Sequence, residues 1–494
     1  MSAKRKHKLT RPLTPRWKPR PYQKLCFEEG LRKNYLALFL DPGLGKTSIL
    51  LQIFNKRKLR KQTKAVLIVA PLNPCYMTWP EEIKGWTNFR RFKYTILHGP
   101  GKDLALKKRG VDIYIINPEG LKWLMQKLKG KPKKSWPFDM LIVDESSKFK
   151  TPGGPNTGSH RTWLINRLAP GFKYRYIANG TPVANGYLGL MSQMSIIDQG
   201  QSLGTKISYY REKYFDQVGR PEWRQYELSK GADKKILKKI APFAICLKAE
   251  DYVYMPKRIV LEKFIHLPKR AMKAYSEIES ELFTLIDNKE LVAESASSLS
   301  NKLHQICNGA IYEDQDPLGK PLPSSKRQVI ELHKEKLYII ENLIEEFNGR
   351  PILIGYKFQH DKKILQQYFK KRIKFFDDAK TGPQKVKLQK NWNNNKIPLL
   401  AGNPQSVGHG LNLQKGSADV VVFYSLDHDY DTHDQFLRRL LRSGNKAKQV
   451  FLCYIMAKGL YDHQAIYPTL IKRKKVQDSF AKRLIDYRNR CKPL

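Results

Sequence analysis

Short apolar runs, separated by longer helical or loop segments, recur in two parts of the 494-residue chain. In the first part they occupy residues 35–40, 65–70, 93–97, 112–116, 138–143 and 174–178, and in the second part residues 351–355, 374–376, 398–401, 420–424 and 450–455. Runs of this length are typical of buried strands, and their alternation with helical patterns indicates parallel sheets with helices on both faces. The predicted fold class is therefore α/β, with two parallel-sheet halves.

The sequence between the two halves has a different pattern. Residues 209–312 are mostly helical and charged, with an amphipathic stretch at 270–286, and residues 314–325 are rich in Gly, Pro and Ser. We therefore predict five segments: a basic flexible arm (1–20), a first lobe (21–205), a helical insertion with a linker (206–325), a second lobe (326–475) and a basic helical tail (476–494).

Basic residues greatly outnumber acidic ones. The chain has 91 Lys and Arg against 45 Asp and Glu, a formal net charge of +46, with clusters at 4–8, 56–64, 127–134, 234–239, 370–374 and 472–475. A surplus of this size indicates a polyanionic partner, and nucleic acid is the partner we expect. Such binding should be independent of base sequence and should weaken as salt rises. For any single cluster, a solvated basic surface is the alternative.

The six cysteines lie far apart and form no C-x-x-C pair, so the sequence indicates neither a zinc ribbon nor a disulfide framework. Scattered reduced thiols are typical of a cytoplasmic protein, which for a viral chain means the host cytoplasm. No apolar run approaches the length of a membrane span, and no apolar segment follows the basic N-terminus as in a secretory signal.

A glycine-containing loop follows the first strand candidate. The segment reads Asp-Pro-Gly-Leu-Gly-Lys-Thr over residues 41–47, and the apolar run 48–53 that follows suits a helix. In a strand–loop–helix of this kind, Gly43 and Gly45 let the backbone wrap around a phosphate, Lys46 contacts the β- and γ-phosphates, and Thr47 offers its hydroxyl to magnesium. The full pattern has a glycine where this chain has Leu40. A surface glycine turn is the alternative interpretation.

Two adjacent carboxylates end the apolar run 138–143. Asp144 and Glu145 stand where a buried parallel strand would present them to a ligand. Asp144 can hold the hydration shell of magnesium, and Glu145 can take a proton from the attacking water. A capped helix start is the alternative. A metal nuclease site is a further alternative. The spacing argues against it, because Lys148 lies three residues after Glu145 rather than two, and no further acidic partner stands out.

Taken in order, these and other segments resemble the motifs of helicase superfamily two, most closely its Swi/Snf-type branch in the compact form found in bacteriophages. The loop at 41–47 resembles motif I, and the acidic pair stands where the family has D-E-A-H. The other matching segments are 20–23 (the Q-like motif), 69–72 with Trp79 and 82–86 (motif Ia), 179–182 with Asn185 (motif III), 303–309 (before the second lobe), 354–358 (motif IV), 408–413 (motif V), and Gln435, Arg439, Arg442 and Gly444 (motif VI).

The resemblance implies two RecA-like lobes, with ATP and magnesium bound in the cleft between them and DNA as the partner. It implies that Gln23 reads adenine, that Arg439 and Arg442 reach the γ-phosphate as arginine fingers, and that Thr47 and Asp144 hold magnesium. Further nucleotide-binding residues are expected at Leu44, Ser48, Gly410 and Asn412. The predicted function is an ATP-driven helicase or translocase, acting as a monomer on DNA, which the Swi/Snf branch suggests is double-stranded.

The chain departs from the family at three places. Asn179 replaces the first Thr or Ser of motif III, Asn445 replaces the Gln that ends motif VI, and residues 426–429 stand where Trp-Asn-Pro follows motif V. A nucleic-acid-binding protein with a degenerate nucleotide site is therefore an alternative prediction, and a motor subunit that works with a nuclease on another chain is a second. The sequence leaves strand separation and translocation without unwinding equally open.

Overall fold

The computed structural model describes residues 15–153, 160–218, 225–287, 293–313, 322, 328–407 and 412–491. The strands are β1 (Tyr35–Leu40), β2 (Val66–Val69), β3 (Tyr94–Ile96), β4 (Ile113–Ile116), β5 (Met140–Asp144), β6 (Tyr174–Asn179), β7 (Phe215–Val218), β8 (Gln225–Leu228), β9 (Ala244–Leu247), β10 (Lys257–Ile265), β11 (Ala310–Tyr312), β12 (Val329–Glu331), β13 (Ile352–Gly355), β14 (Ile373–Phe375), β15 (Leu399–Gly402), β16 (Val420–Phe423) and β17 (Gln449–Ala457).

The α-helices are α1 (Pro21–Arg32), α2 (Lys46–Leu59), α3 (Leu72–Tyr76), α4 (Thr78–Gly85), α5 (Lys102–Lys107), α6 (Leu121–Leu128), α7 (His160–Leu168), α8 (Leu190–Asp198), α9 (Ile207–Tyr214), α10 (Ala232–Ile240), α11 (Lys269–Asp287), α12 (Ala293–Cys307), α13 (Glu335–Glu346), α14 (Gln359–Phe369), α15 (Gly382–Asn393), α16 (Pro404–Val407), α17 (Tyr430–Leu437) and α18 (Tyr467–Cys491). No helix in these ranges is long and apolar enough to cross a membrane.

The chain divides into two compact units. The first holds residues up to Leu38, then Leu44–Asn179 and Ser195–Gln199. The second holds Phe39–Gly43, Gly180–Met194 and the chain from Gly200 onward.

A seven-stranded sheet has the order β3-β4-β2-β5-β6-β1-β9, and its pairings from β3 to β6 are parallel. The central strands β2 and β4 are buried along their whole length. Nearly continuous apolar strands of this kind are expected where helices cover both faces of a parallel sheet. In the strand order β6 lies between β1 and β5.

The second unit contains a six-stranded sheet of order β10-β17-β16-β13-β15-β14, in which every pairing is parallel. Its core packs β13, β16 and β17 against α12 and α13, with Leu303, Leu337 and Ile340 among the buried residues. Within this core the Lys336 ammonium donates to Asp462 at 2.8 Å and to the Asn308 side chain at 2.8 Å, so its buried charge is neutralised. The two large parallel sheets confirm the predicted α/β class with two RecA-like halves.

The segment predicted as a helical insertion is less uniformly helical than expected. It contains α9 to α12, but also β7, β8, β9, β10 and β11. Strand β9 ends the order of the seven-stranded sheet, and β10 pairs along nine residues with β17, from Lys257 opposite Gln449 to Ile265 opposite Ala457. The predicted tail is helical through α18, and most of the predicted linker at 314–325 lies outside the described residues. The five cysteines with described side chains are buried, and none of them forms a disulfide.

Three histidines in the second unit are buried as neutral rings. Burial lowers the pKa of His333 to about 4 and that of His433 to about 3, and it holds the pKa of His304 well below its usual value. The unfolded chain, with an ordinary histidine pKa near 6.5, therefore binds more protons than the folded one as pH falls below that value. Folding free energy should accordingly be lost as pH drops from about 6.5 toward 4, by up to about 1.4 kcal/mol per pH unit for each histidine.

Urea unfolding at pH 7.5, 6.5 and 5.5, followed by fluorescence, measures this loss. The His433→Phe variant, whose new ring keeps the stack on Phe423, should show a shallower fall of stability with pH than the parent chain. A parent stability that stays level or rises between pH 6.5 and 5.5 would contradict the assignment of neutral buried histidines.

Candidate functional site

The loop between β1 and α2 has the backbone that a phosphate-binding loop requires. Gly43 has a φ of 91° and Gly45 a φ of 78°, which lie in the left-handed region that favours glycine. Gly45 is the N-cap of α2, and its carbonyl accepts the N–H of Ile49 at 3.0 Å. The loop therefore leads directly into a helix N-terminus, where the helix dipole favours an anion.

The position of Leu40 explains why the chain has leucine where the full phosphate-loop pattern has glycine. It is the last residue of β1 and is completely buried, so the chain is still an extended strand at this position and needs no left-handed residue. Leu44 is also completely buried, which leaves its backbone rather than its side chain to contact a nucleotide.

Gln23 is attached to the same loop. Its side-chain oxygen accepts the N–H of Arg20 at 2.9 Å, and its amide nitrogen donates to the carbonyl of Leu44 at 3.1 Å. A Cβ on Gly45 would come within 2.6 Å of that nitrogen, so both space and φ require glycine there. Gln23 thus fixes the loop backbone, and contact with adenine stays a prediction.

Lys46 and Asp144 face one another within the first unit. Burial raises the pKa of the Asp144 carboxyl above its usual value, and the positive charge of Lys46 partly opposes that rise. The indole N–H of Trp79 donates to one oxygen of Asp144 at 3.1 Å, and the N–H of Glu145 donates to the other at 3.2 Å. Trp79 belongs to the segment that resembles motif Ia, so this contact joins two predicted motifs.

Glu145 adopts a conformation that non-glycine residues rarely occupy. Its φ of 55° and ψ of 60° are left-handed, directly after the last residue of β5. Such a backbone costs about 1–3 kcal/mol and is found preferentially at functional sites. The turn redirects the chain immediately after Asp144, and the general-base role of Glu145 stays a prediction.

Thr47 and Ser48 lie in the first turn of α2. Ser48 is buried and its hydroxyl donates to Glu82 at 2.8 Å, while Glu82 also accepts the indole N–H of Trp86 at 2.7 Å. Ser48 therefore ties α2 to α4. Thr47 is half-buried, and its role as a magnesium ligand stays a prediction.

The donor set fits magnesium better than a metal held by protein alone. No cluster of three or more His, Cys, Asp or Glu that could hold a metal occurs among the described residues. Magnesium in nucleotide sites keeps several waters and takes one or two protein ligands together with substrate phosphates. One hydroxyl and one carboxylate, from Thr47 and Asp144, suit that pattern.

In the second unit, residues of the predicted motifs V and VI meet. A guanidinium N–H of Arg442 donates to the side-chain oxygen of Asn412 at 3.2 Å. Asn412 is held in turn by Gln389, which accepts its N–H at 3.0 Å, and by Asn393, which donates to its carbonyl at 2.9 Å. Gly410 lies outside the described residues, with the rest of 408–411.

Arg442 has no carboxylate partner among the described residues. Its Nε is buried without a hydrogen bond there, and burial lowers the pKa of its guanidinium. A buried cation in this condition is costly unless an anion approaches it. The side chain is thus suited to an anionic ligand rather than to a structural ion pair.

The other motif VI residues are fixed by hydrogen bonds. Arg439 is buried and its Nε donates to the carbonyl of Gln435 at 3.0 Å. Asn445, the departure from the family's Gln, donates to the carbonyl of Leu440 at 2.9 Å and accepts the N–H of Ala447 at 2.9 Å. The shorter amide therefore holds the turn after α17.

Sequence reasoning missed the partners of motif III. Thr181 donates its hydroxyl to Asp431, and the Asn185 amide donates to Asp429 at 3.0 Å, all within the second unit. Arg473 of α18 donates to Asn185 at 3.0 Å. The segment 426–429, which departs from the family pattern, thus ends in Asp429, whose carboxylate accepts a hydrogen bond from Asn185 of motif III. The only sequence signal was a pair of carboxylates, Asp429 and Asp431, just before motif VI.

The loop before α2 and the carboxylates after β5 have the residues expected of a P-loop nucleotide-binding protein, and comparison with known proteins identifies the family of the chain. A family model described as the SNF2-related domain matches residues 28–312. That match covers more than half of the chain, which therefore belongs to the SNF2-related family. The membership confirms the resemblance to the Swi/Snf-type branch of helicase superfamily two.

Two curated proteins are similar over most of this chain. Protein p41 of Acyrthosiphon pisum secondary endosymbiont phage 1 is 29% identical over 471 residues, which are 93% of this chain and 97% of that protein. The ISWI chromatin-remodeling complex ATPase ISW1 of Saccharomyces cerevisiae is 23% identical over 456 residues, covering 87% of this chain. The matched part is only 38% of ISW1, so most of that protein has no counterpart here.

Two solved structures of the Sulfolobus solfataricus SWI2/SNF2 ATPase core also match. The core in complex with dsDNA is 20% identical and has a TM-score of 0.42, with 96% of this chain and 95% of that chain covered. The core domain determined separately is 19% identical and has a TM-score of 0.39, with 97% and 93% covered.

Proposed function

We propose that this protein is an ATP-driven motor that moves along double-stranded DNA. The observation that carries the proposal is the loop before α2, where the left-handed Gly43 and Gly45 precede Lys46, whose charge acts on the half-buried Asp144. Membership of the SNF2-related family supports an ATPase that works on nucleic acid. Movement along duplex DNA is the finer step proposed here.

ATP binds with its phosphates on the N–H groups of the loop and the start of α2. Lys46 contacts the β- and γ-phosphates, Gln23 contacts the adenine, and Thr47 and Asp144 hold magnesium. The metal supplies charge neutralisation on the phosphate oxygens when it is bound. Glu145 takes a proton from the attacking water, and the left-handed turn after β5 sets the direction of its backbone.

Arg439 and Arg442 bind the γ-phosphate during hydrolysis. Arg442 is half-buried with a buried Nε, lacks a carboxylate partner among the described residues and is held by Asn412, as expected of a cation kept for an anionic substrate. A planar guanidinium suits the charge that spreads over the phosphate oxygens in the transition state. Because these contacts depend on the γ-phosphate, they form and break once in each cycle, and this change drives movement.

The DNA partner is supported by charge. A net charge of +46 on 494 residues provides many cations for phosphate contacts, which dominate affinity without reading base sequence. Duplex DNA is the substrate we favour because the relative ISW1 is named as a chromatin-remodeling ATPase, and chromatin presents DNA as a duplex. The phage relative makes the host cytoplasm the expected place of action.

The proposal is tested by measuring ATP hydrolysis with no nucleic acid, single-stranded DNA, duplex DNA and RNA in parallel. We expect turnover to rise most with duplex DNA. We also expect the DNA concentration for half-maximal stimulation to rise steeply between about 50 and 200 mM salt, as counterion release requires. Hydrolysis that no nucleic acid stimulates would overturn the motor and favour the degenerate-site alternative. Stimulation by RNA alone would overturn the DNA substrate.

A further inference from the structure

A single half-buried arginine in the second unit bridges two carboxylates from distant parts of the chain. The Nε of Arg438 donates to Asp434 of α17 at 2.5 Å, and its Nη1 lies 3.3 Å from an oxygen of Asp41. Arg438 and Asp41 expose only 18% and 19% of their side chains. Although burial by itself would lower the pKa of Arg438, the two carboxylates raise it above its ordinary value, so the guanidinium stays charged.

Asp41 is the first residue of the predicted phosphate loop, and it is held on its other side as well. The same carboxylate oxygen accepts the N–H of Ala249 at 3.0 Å, and the N–H of Asp41 donates to the carbonyl of Leu247 at 3.1 Å. Two polar groups of Asp41 therefore have partners. Its N–H is bound by Leu247, and one carboxylate oxygen is bound by both Ala249 and Arg438.

The next two residues of the loop are also packed within the second unit. A Cβ placed on Gly43 would lie 3.0 Å from the hydroxyl of Ser443, and a Cβ on Gly180 would lie 3.2 Å from the ring of Pro42. Ser443 follows Arg442, so the segment 438–443 touches the loop at both Asp41 and Gly43. The start of the loop is fixed by the same stretch that carries Arg439 and Arg442.

We propose that Arg438 is a positioning residue that acts through Asp41 to hold the phosphate loop in its nucleotide-binding conformation. This inference rests on the proposed function. Arg438 touches no phosphate itself. Its ion pair fixes Asp41–Gly43 before ATP arrives, so less conformational freedom is lost when the loop closes around the phosphates.

The predicted effect is on binding rather than on the chemical step. The loop N–H groups hold the phosphates in both the ground state and the transition state, and loss of such uniform binding raises KM while leaving kcat nearly unchanged. A purely structural role would instead lower the fraction of folded protein, which reduces the apparent kcat without changing nucleotide affinity. The two roles are therefore separable by measurement.

The pair lines a cavity of about 430 Å³, so substitution at either residue opens no sealed void. Asp41→Asn keeps an oxygen that accepts the N–H of Ala249 but loses the charge that Arg438 recognises. Arg438→Gln removes the guanidinium, and Arg438→Lys keeps the charge without the fork that reaches both carboxylates. These variants isolate the ion pair from its surroundings.

The experiment measures the Kd of ADP with magnesium by titration calorimetry, and the KM and kcat for ATP with duplex DNA. We expect Asp41→Asn and Arg438→Gln each to raise Kd and KM about tenfold, with kcat within twofold of the parent and a smaller rise for Arg438→Lys. The double variant should bind nucleotide no more weakly than either single variant, because the two substitutions remove the same interaction.

Arg372→Gln is the matched control, since it removes an exposed arginine–carboxylate pair with Glu341 elsewhere in the second unit. Its nucleotide affinity should equal that of the parent. Kd values within twofold of the parent for both single variants would overturn the positioning role. So would losses of nucleotide affinity that multiply in the double variant. In either case, ATP hydrolysis by the parent chain would leave the proposed function standing. A parent chain that binds no nucleotide would overturn both. Thermal unfolding of each variant confirms that folded protein is compared.

Discussion

Lys46→Ala is expected to abolish ATP hydrolysis, whether or not DNA is present. The lysine begins α2 directly after the left-handed Gly45, and its charge acts on the half-buried Asp144. Removing it takes away the only side-chain cation of the loop, where charge on the β- and γ-phosphates must be neutralised. Because the same charge opposes the raised pKa of Asp144, its loss also makes that carboxyl harder to ionise and weakens magnesium binding.

Phosphate release, measured with saturating duplex DNA, checks this outcome. Lys107→Ala is a suitable control because Lys107 is an exposed lysine of α5 in the same unit, and its loss should leave turnover unchanged. If Lys46→Ala hydrolysed ATP at the parent's rate, the loop would be a surface glycine turn and the assigned site would be wrong. DNA binding by Lys46→Ala at low salt should remain close to that of the parent, since one charge of a large surplus is lost.

Strand positions were predictable where burial leaves an uninterrupted apolar run. All the strand runs named from the sequence appear within two residues of their predicted limits, among them Val66–Val69 and Val420–Phe423. Strand β10 was missed because it is an edge strand in which charged residues interrupt the apolar ones and only Ile265 is fully buried. Strand β9 is only four residues long and follows a strongly amphipathic helix, so the segment was interpreted as helical throughout.

The candidate site was predictable where chemistry follows local spacing. Glycines, a lysine and a carboxylate pair at fixed offsets single out the candidate residues. Gly43, Gly45 and Glu145 have left-handed backbones, and the roles assigned to them stay predictions. Contacts between distant segments gave no such signal. Neither the pairing of Arg438 with Asp41 nor that of Asp431 with Thr181 could be predicted, because each depends on how far-apart parts of the chain pack.

Arg442→Ala is expected to slow hydrolysis by on the order of 10³-fold while leaving ATP binding largely intact. An arginine that meets the γ-phosphate mainly in the transition state contributes to kcat rather than to ground-state affinity. The parent side chain is half-buried, is held by Asn412 and lacks a carboxylate partner among the described residues, so little reorientation is needed to reach the phosphate. Single-turnover hydrolysis, together with titration of ATP analogues, separates the two effects.

Arg442→Lys tests whether charge alone is sufficient. A compact ammonium cannot donate two parallel hydrogen bonds to phosphate oxygens, so we expect it to recover only a small part of the lost rate. Asn412→Ala should produce an intermediate loss, because the guanidinium keeps its charge but loses the hydrogen bond that orients it. If Arg442→Ala bound ATP poorly instead, the residue would act in ground-state binding. If it turned over ATP normally, the buried guanidinium would serve the fold of the second unit rather than catalysis.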